Sequence, residues 1–435
     1  MEKRVYEQLQ ETAFFETLPN GLPVVVVPRP GFSKRLAYFV TDYGSIHTRF
    51  TLDGKPQCSP AGVAHFLEHK LFDMPGRDVT AEFAALGAIP NAFTGYDMTA
   101  YYFSCTENFY ESLQLLLEFV STPYFTGESV EKEQGIIGQE IDMNVDAPET
   151  RVFENLMQAM YKNHPIRIPI LGDRETISQI TPEILTACHR AFYRPGNMLL
   201  CVVGDVDPEK VCDLARKQLT DTPAPKVPRV DTWPEEMRCA VSLVEDSMEV
   251  AMPMFQLGFK SAPLGIGKEA VLQEAVGDLA AEALFGESSP LYMQLYEQGL
   301  IDSSFGGGYD TVDGMSMLTC SGDSRDPEQV RDAILKQVTL LLEKGLPEED
   351  FLRMKRSALG RRIRDLDSFD ATAFRICAYH FSGFDYFEFP AIYQQVAQEQ
   401  VLAFLRQTVT QDRCCLSVIY PNSQEESIDA MDNDE

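Results

Sequence analysis

Residues 59–69 have the sequence SPAGVAHFLEH, which predicts a helix and is the starting point for interpreting the rest of the chain. Serine is favourable at a helix N-cap and proline at the first helical position, so Ser59 and Pro60 predict that the helix begins here. Four apolar residues flank the polar ones at helical spacing: Val63, Phe66, Leu67 and Leu71. This pattern predicts that the helix is substantially buried.

The same stretch carries two histidines and a glutamate in a spacing suited to a metal. His65 and His69 lie one turn apart on one helix face, where two imidazoles can bind one ion. Glu68 projects beside them, close enough to take a proton from a bound water. This order is the inverse of HExxH and is typical of zinc proteases. The alternative is a helix with two surface histidines paired with a carboxylate. Since two of only six histidines fall in this spacing, metal binding is favoured.

A third ligand is expected downstream, because zinc in a hydrolase takes three protein ligands and keeps one position open. Residues 130–142, VEKEQGIIGQEID, predict a helix with Glu133 and Glu140 two turns apart on nearly the same face. One carboxylate can bind the metal while the other supports a ligand. Spacing does not choose between the two. Taken alone, the segment is equally typical of an amphipathic acidic helix.

The length of 435 residues predicts two or three domains, since one hydrophobic core rarely grows so large. Residues 221–234, DTPAPKVPRVDTWP, contain four prolines and predict an extended linker. We therefore divide the chain into a catalytic unit at 1–222, a proline-rich linker at 223–236 and a second unit at 237–424. An acidic tail at 425–435 is predicted to be disordered.

The two units show the same order of patterns. Each begins with a strand-like apolar run, at residues 22–27 and 252–259, and ends with a helix followed by a second such run. Between these strands, each unit carries several long segments with apolar residues at helical spacing. The patterns predict an α+β class and a diverged internal duplication.

Charge and cysteine usage limit the partners and the compartment. The formal charge of −29, from 37 basic and 66 acidic residues, disfavours nucleic acid and anionic membranes and favours basic peptides. The first twelve residues lack the apolar core of a signal peptide, and the longest apolar runs are too short to span a bilayer. Ten cysteines without a spacing framework predict reduced thiols in a cytoplasmic protein.

Four segments together resemble the family of pitrilysin, insulin-degrading enzyme and mitochondrial processing peptidase. They are HFLEHKLF at 65–72, GAIPNAFTGYDMTAYYF at 87–103, EKEQGIIGQEIDM at 131–143 and YRPGNMLLCVVGDVDP at 193–208. Within the family, the chain is most similar to the zinc-motif-bearing members of paired bacterial processing-protease-like proteins. The resemblance implies two homologous α/β-sandwich domains, each with a mixed, mostly antiparallel sheet, that form half of a clamshell.

The resemblance also assigns roles to the site residues. It implies that Zn²⁺ is held by His65, His69 and Glu140, that Glu68 is the general base, and that Glu133 supports the site. Residues 91–102 alternate in polarity after Gly87 and Pro90, which predicts a single strand. In the family this strand lies beside the zinc and pairs with an extended peptide, so the resemblance implies that Asn91 and Ala92 contact the substrate.

One family feature is missing from the second unit. Family enzymes usually carry an arginine and, seven residues later, a tyrosine that stabilise the oxyanion, but Tyr296 and the region of Asp302 occupy those positions here. The sequence therefore predicts a zinc endopeptidase for short or unfolded peptides that works as the zinc subunit of a dimeric processing protease. Its partner is a homologous chain or a second copy. The alternative is a non-catalytic, zinc-binding assembly subunit.

Overall fold

The computed structural model describes residues 1–220, 222–230 and 232–422, so the predicted acidic tail at 425–435 lies outside the described residues. The elements of the first unit are β1 (Glu2–Tyr6), β2 (Glu11–Thr17), β3 (Pro23–Pro28), β4 (Arg35–Thr41), β5 (Arg49–Leu52), β6 (Lys55–Cys58), α1 (Val63–Leu71), β7 (Asp73–Met74), β8 (Arg77–Asp78), α2 (Val79–Ala85), β9 (Ala88–Thr94), β10 (Thr99–Cys105), α3 (Phe109–Ser121), α4 (Gly127–Val145), α5 (Pro148–Met160), α6 (Arg174–Ser178), α7 (Pro182–Phe192), β11 (Met198–Gly204) and α8 (Pro208–Gln218).

The second unit has fewer strands and begins after the proline-rich segment. Its elements are β12 (Leu243–Met248), β13 (Met254–Lys260), α9 (Gly267–Phe285), α10 (Pro290–Glu297), β14 (Gly306–Val312), β15 (Met315–Asp323), α11 (Pro327–Lys344), α12 (Glu348–Arg364), α13 (Phe369–Phe381), α14 (Phe389–Gln395), α15 (Gln398–Thr408) and β16 (Cys414–Pro421).

Each unit is built on one sheet of the same topology. The first sheet has the strand order β1-β2-β3-β11-β4-β10-β9 and the second has the order β12-β16-β13-β15-β14. In the first sheet the last strand of the unit, β11, pairs in parallel with β3, and in the second sheet the last strand, β16, pairs in parallel with β12. All other strand pairs of the two sheets are antiparallel. The predicted α+β class, with two similar units and mixed, mostly antiparallel sheets, is confirmed.

The shared topology defines equivalent elements in the two units. Helix α1 corresponds to α9, α4 to α12, and β9 to β14, because each group follows the same strands in the chain. The packing agrees with this: α1 packs against β9 and α4, and α9 packs against β14 and α12. Any position of the metal motif can therefore be compared with its counterpart in the second unit.

The units exchange one helix each across their boundary. Helix α5 of the first unit packs on β12, β13 and β16, and α13 of the second unit packs on β4 and β11. Gly258 in β13 permits this close approach, because a Cβ there would lie 2.4 Å from the Met160 sulfur of α5. One hydrophobic cluster consequently contains residues of both sheets, so the two units share a core.

The metal-motif helix begins later than the sequence predicted. Ser59 and Pro60 lie before it, and α1 begins at Val63 with Gly62 as its N-cap. Gly62 has a φ of +88°, and a Cβ there would lie 2.4 Å from the Leu171 carbonyl oxygen. The chain therefore turns at this glycine, against the loop before α6, before it can become helical.

Two predictions about strands were also wrong. Residues 91–102 form no single strand, because β9 and β10 are antiparallel partners joined by a turn in which Gly95 donates its N–H to the Met98 carbonyl. The first unit also does not open at residue 22, since the polar N-terminal residues form β1 and β2. At the sheet margin, β1 carries exposed and partly buried residues and β2 carries mainly buried and partly buried ones, a pattern that a search for apolar runs overlooks.

The proline-rich segment forms no helix or strand in its described residues, 223–230 and 232–236. It is nevertheless fixed in place: the Arg229 guanidinium lies 3.0 Å from the Asp42 carboxylate of the first unit and 3.1 Å from the Asp313 carboxylate of the second.

None of the helices in the described part of the chain combines the length and the hydrophobicity that a membrane-spanning helix needs. The exact domain bounds and the cytoplasmic location stay predictions.

Candidate metal centre

Two helices and one edge strand position the candidate metal-binding residues. Helix α1 presents His65 and His69 from one face, with their ring centroids 4.6 Å apart. Helix α4 packs against α1 and brings Glu140 over the two imidazoles. The possible ligand atoms of these three residues all lie within 4.8 Å of one another. The Glu140 side chain is 40% exposed, so the group is reached from solvent.

The donor set fits a zinc ion. The His65 Nε2 and His69 Nε2 atoms each lie 3.7 Å from one of the two Glu140 carboxylate oxygens. These separations are too long for hydrogen bonds. Ligand atoms about 2.0–2.2 Å from a tetrahedral zinc ion stand roughly 3.3–3.6 Å apart, close to the separations observed. Two imidazoles and one carboxylate also leave the fourth position open, as a catalytic zinc site requires.

The surroundings give the two histidines different proton affinities. Burial, assisted by the neighbouring His69 charge, lowers the pKa of His65 to about 3 and keeps its ring neutral, which is the metal-binding form. Burial also acts to lower the pKa of His69. The hydrogen bond that His69 donates to Glu133, with the charges of Glu133, Glu68 and Glu140, outweighs this effect and raises the pKa of His69 overall. Because its Nδ1 lies 3.0 Å from Glu133 Oε1, His69 presents Nε2 to the site.

Glu133 and Glu140 therefore occupy different places, which spacing alone could not decide. Glu133 contacts the far side of the His69 ring, where it fixes the orientation of the imidazole and the nitrogen that carries its proton. Glu140 faces the two Nε2 atoms. This arrangement agrees with the assignment that the family resemblance implied.

The candidate base, Glu68, is mostly buried beside the two imidazoles. Burial raises the pKa of Glu68, and the Glu140 charge adds to this, whereas the Thr94 hydrogen bond and the His69 charge act to lower it. The Thr94 hydroxyl donates to Glu68 Oε2 over 2.6 Å. A carboxylate with a raised pKa beside a metal-binding group is suited to accept and return a proton near neutral pH.

Strand β9 forms the free edge of the first sheet, next to α1. It carries both predicted substrate contacts. Asn91 is exposed, and its Oδ1 atom accepts a hydrogen bond from the Ala92 N–H over 2.8 Å. Ala92 is partly buried against the core of its unit. The backbone beyond this edge pairs with no other strand of the described chain, so an extended segment can add to it.

Comparison with known proteins agrees with this geometry. The family model described as Insulinase (Peptidase family M16) matches residues 58–174, and that of the Peptidase M16 inactive domain matches residues 179–358. Over 427 residues the chain is 38% identical to the uncharacterized zinc protease YmfH of Bacillus subtilis (strain 168), covering 96% of this chain and 99% of that protein. The chain belongs to peptidase family M16. The predicted family membership is thereby confirmed.

Two solved structures match along nearly the whole chain. The crystal structure of an M16-like peptidase from Alicyclobacillus acidocaldarius has a TM-score of 0.91 and 33% identity, and the match covers 96% of this chain and all of that one. A protease from Helicobacter pylori has a TM-score of 0.81 at 19% identity, covering 94% and 99% of the two chains, a likeness of fold.

The M16 oxyanion pair is missing where it was expected. Tyr296 lies on α10, is 54% exposed and stacks on Tyr292, and Asp302 is exposed as well. Among the described residues, no arginine forms an ion pair with Glu68, Glu133 or Glu140.

Sequence reasoning missed Thr94, which contacts the candidate base. The signal was available, because strand alternation places Thr94 on the same face of β9 as Ala92, the face turned toward α1.

The equivalent position in the second M16 unit holds a guanidinium. Helix α9 carries Glu274 and Asp278 one turn apart, as α1 carries its two histidines, and α12 supplies Arg362. Arg362 lies 2.5 Å from the Glu274 carboxylate and 3.3 Å from that of Asp278, and it also donates to the Tyr379 hydroxyl over 3.0 Å. In the second unit, two carboxylates around the buried Arg362 guanidinium thus take the place of the two imidazoles and the carboxylate of the first unit.

Proposed function

We propose that this chain is a zinc metalloendopeptidase that hydrolyses short or unfolded peptides as the zinc-bearing subunit of a dimeric processing protease. The observation that carries the proposal is the convergence of His65, His69 and Glu140 within 4.8 Å, with Glu68 beside them at a free sheet edge. A purely structural zinc site would be closed by a fourth protein ligand, whereas this group is open to solvent.

The chain's own residues have defined tasks in the reaction. Zinc, when bound by His65, His69 and Glu140, supplies a Lewis acid that polarises the scissile carbonyl and acidifies a water molecule. Glu68 accepts the proton as that water attacks, and then donates it to the leaving amine. Glu133 holds His69 in its metal-binding orientation throughout.

The substrate class follows from the edge strand and the charge. A peptide that adds to β9, along Asn91 and Ala92, is recognised through its backbone and must be extended, which favours unfolded segments over folded proteins. The net charge of −29 favours basic peptides, since it raises their local concentration and their rate of encounter.

The missing oxyanion pair supports a role for a partner. Tyr296 is exposed and is not one of the candidate zinc ligands. We therefore assign the hydrogen-bond donors for the developing oxyanion to a homologous subunit or a second copy. The same observation is what favours the second candidate, a zinc-binding assembly subunit without catalysis. The two candidates differ in one measurable property, which is turnover.

Metal-dependent cleavage tests the proposed function. The purified chain, with any subunit that accompanies it from its native cells, is mixed with a quenched fluorescent library of short basic peptides. We expect cleavage that a chelator abolishes and that one equivalent of zinc restores, and that is weaker on an acidic library of the same length. A protein that keeps its zinc and its partner yet cleaves neither library contradicts the peptidase and favours the assembly subunit.

A further inference from the structure

The candidate base is connected to the substrate-binding strand by one hydrogen bond. The Thr94 hydroxyl donates to Glu68 Oε2 over 2.6 Å, which is the usual length for a hydroxyl that donates to a carboxylate. Thr94 is the last residue of β9, three positions after Asn91 on the same strand. Glu68 belongs to α1, so this bond joins two separate elements of the fold.

Among the described residues, no second side chain donates a hydrogen bond to Glu68. Within the described part of the chain, Thr94 is the one side chain that donates a hydrogen bond to this carboxylate. No lysine or arginine among the described residues forms an ion pair with Glu68, and the nearby Tyr101 and Tyr193 hydroxyls bond to each other over 2.8 Å. Removing the Thr94 hydroxyl therefore leaves one oxygen of a mostly buried carboxylate without a protein partner.

The bond also restricts the geometry of the base. With Oε2 held by Thr94, the carboxylate can rotate little about its last side-chain bond, so Oε1 is the oxygen left free to accept a proton. A general base is effective only when it is held within hydrogen-bond reach of the proton that it takes. Thr94 lies on β9, the strand that would pair with the peptide. The same strand would therefore hold both the substrate and the base in position.

We propose that Thr94 is a positioning residue that orients Glu68 from the substrate-binding edge strand, an inference that rests on the proposed peptidase function. It contacts none of the candidate zinc ligands and is not a substrate-contacting residue in this account. Its loss should slow the chemical step while zinc binding and substrate binding are preserved.

Two substitutions separate the hydroxyl from the shape of the side chain. Thr94→Val keeps the branched form and removes the donor, whereas Thr94→Ser keeps the donor and removes a methyl group. Zinc per chain, melting temperature, kcat and KM are measured for both variants and for the wild-type protein with its native partner. We expect Thr94→Val to keep one zinc and a KM within about threefold, with kcat lowered about 10- to 100-fold. Thr94→Ser should keep kcat within about threefold.

The other outcomes overturn the inference in distinguishable ways. An unchanged kcat in Thr94→Val shows that the hydroxyl does not orient the base. Equal losses in both variants, or a loss of zinc together with a lowered melting temperature, show that the residue acts through packing. A wild-type protein that holds zinc but cleaves no peptide overturns the proposed function first, and the role of Thr94 with it.

Discussion

We expect Glu68→Gln to lower kcat about 10²- to 10⁴-fold while the protein keeps one zinc per chain. Glutamine has nearly the same shape and can still accept the Thr94 hydrogen bond, but its amide cannot take up and return a proton. Glu68 does not belong to the candidate ligand set, so metal binding is expected to remain. The measurement is steady-state cleavage of a fluorescent peptide together with elemental analysis.

The matched control for this substitution lies on the neighbouring helix. Glu131 is an exposed glutamate on α4, two residues before Glu133, and Glu131→Gln changes the net charge by the same amount. We expect its kcat to stay within about twofold of the wild-type value, since an exposed charge is largely screened. Similar activity losses in both variants, or an active Glu68→Gln variant, would show that Glu68 is not the base.

We expect Arg362→Met in the second unit to destabilise the protein by about 3–5 kcal/mol at pH 8. The guanidinium is buried and bonds to Glu274, Asp278 and Tyr379, whereas methionine fills part of the space and satisfies none of them. The two carboxylates then lose the cation that bonds to them, and Arg375 is the positive charge that still acts on Asp278. The measurement is the free energy of unfolding from urea titrations of the variant and the wild-type protein.

The loss should depend on pH in a defined direction. Burial, with the nearby Glu274 charge, raises the pKa of Asp278 to about 6 even though Arg362 opposes the shift. An acid whose pKa is raised in the folded state costs stability when ionised, so removing the opposing cation enlarges that cost above the folded pKa. As the pH falls through this value, protonation relieves it. The destabilisation at pH 5 is therefore expected to be smaller than at pH 8.

Arg361→Met provides the control for this second prediction. Arg361 is the preceding residue of α12, and its ion pair with Glu282 is half-exposed, so its removal should cost no more than about 1 kcal/mol. Equal effects of the two substitutions, or a loss in Arg362→Met that does not change with pH, would contradict the view that Arg362 neutralises a partly buried acidic pair.

Sequence reasoning succeeded where the information is local. The i, i+4 spacing of His65 and His69 determines that they share a helix face, whatever the rest of the fold does. The order of strand and helix patterns likewise predicted two similar units. Family resemblance was needed to assign separate roles to Glu140 and Glu133, since two carboxylates seven residues apart on one helix are equivalent until the neighbouring helix is known.

The failures came from contacts distant in sequence. The start of α1 depends on Gly62 meeting the Leu171 carbonyl more than a hundred residues away, and no local N-cap signal reports that. The exchange of α5 and α13 between the units is also invisible in the apolar pattern, since a buried helix face looks the same whichever sheet it covers. The Arg362 cluster was missed for the same reason, because Arg362 is separated in the sequence from Asp278 by 84 positions and from Glu274 by 88 positions.

Zinc stoichiometry tests the central claim most directly. Elemental analysis of the purified wild-type chain, reconstituted with zinc and dialysed, is compared with that of Glu140→Gln. We predict one zinc per wild-type chain and little or none in the variant, because the amide is a poor substitute for the carboxylate that faces both Nε2 atoms. A wild-type chain that binds no zinc, or a variant that binds it equally well, would contradict the metal site on which the proposed peptidase rests.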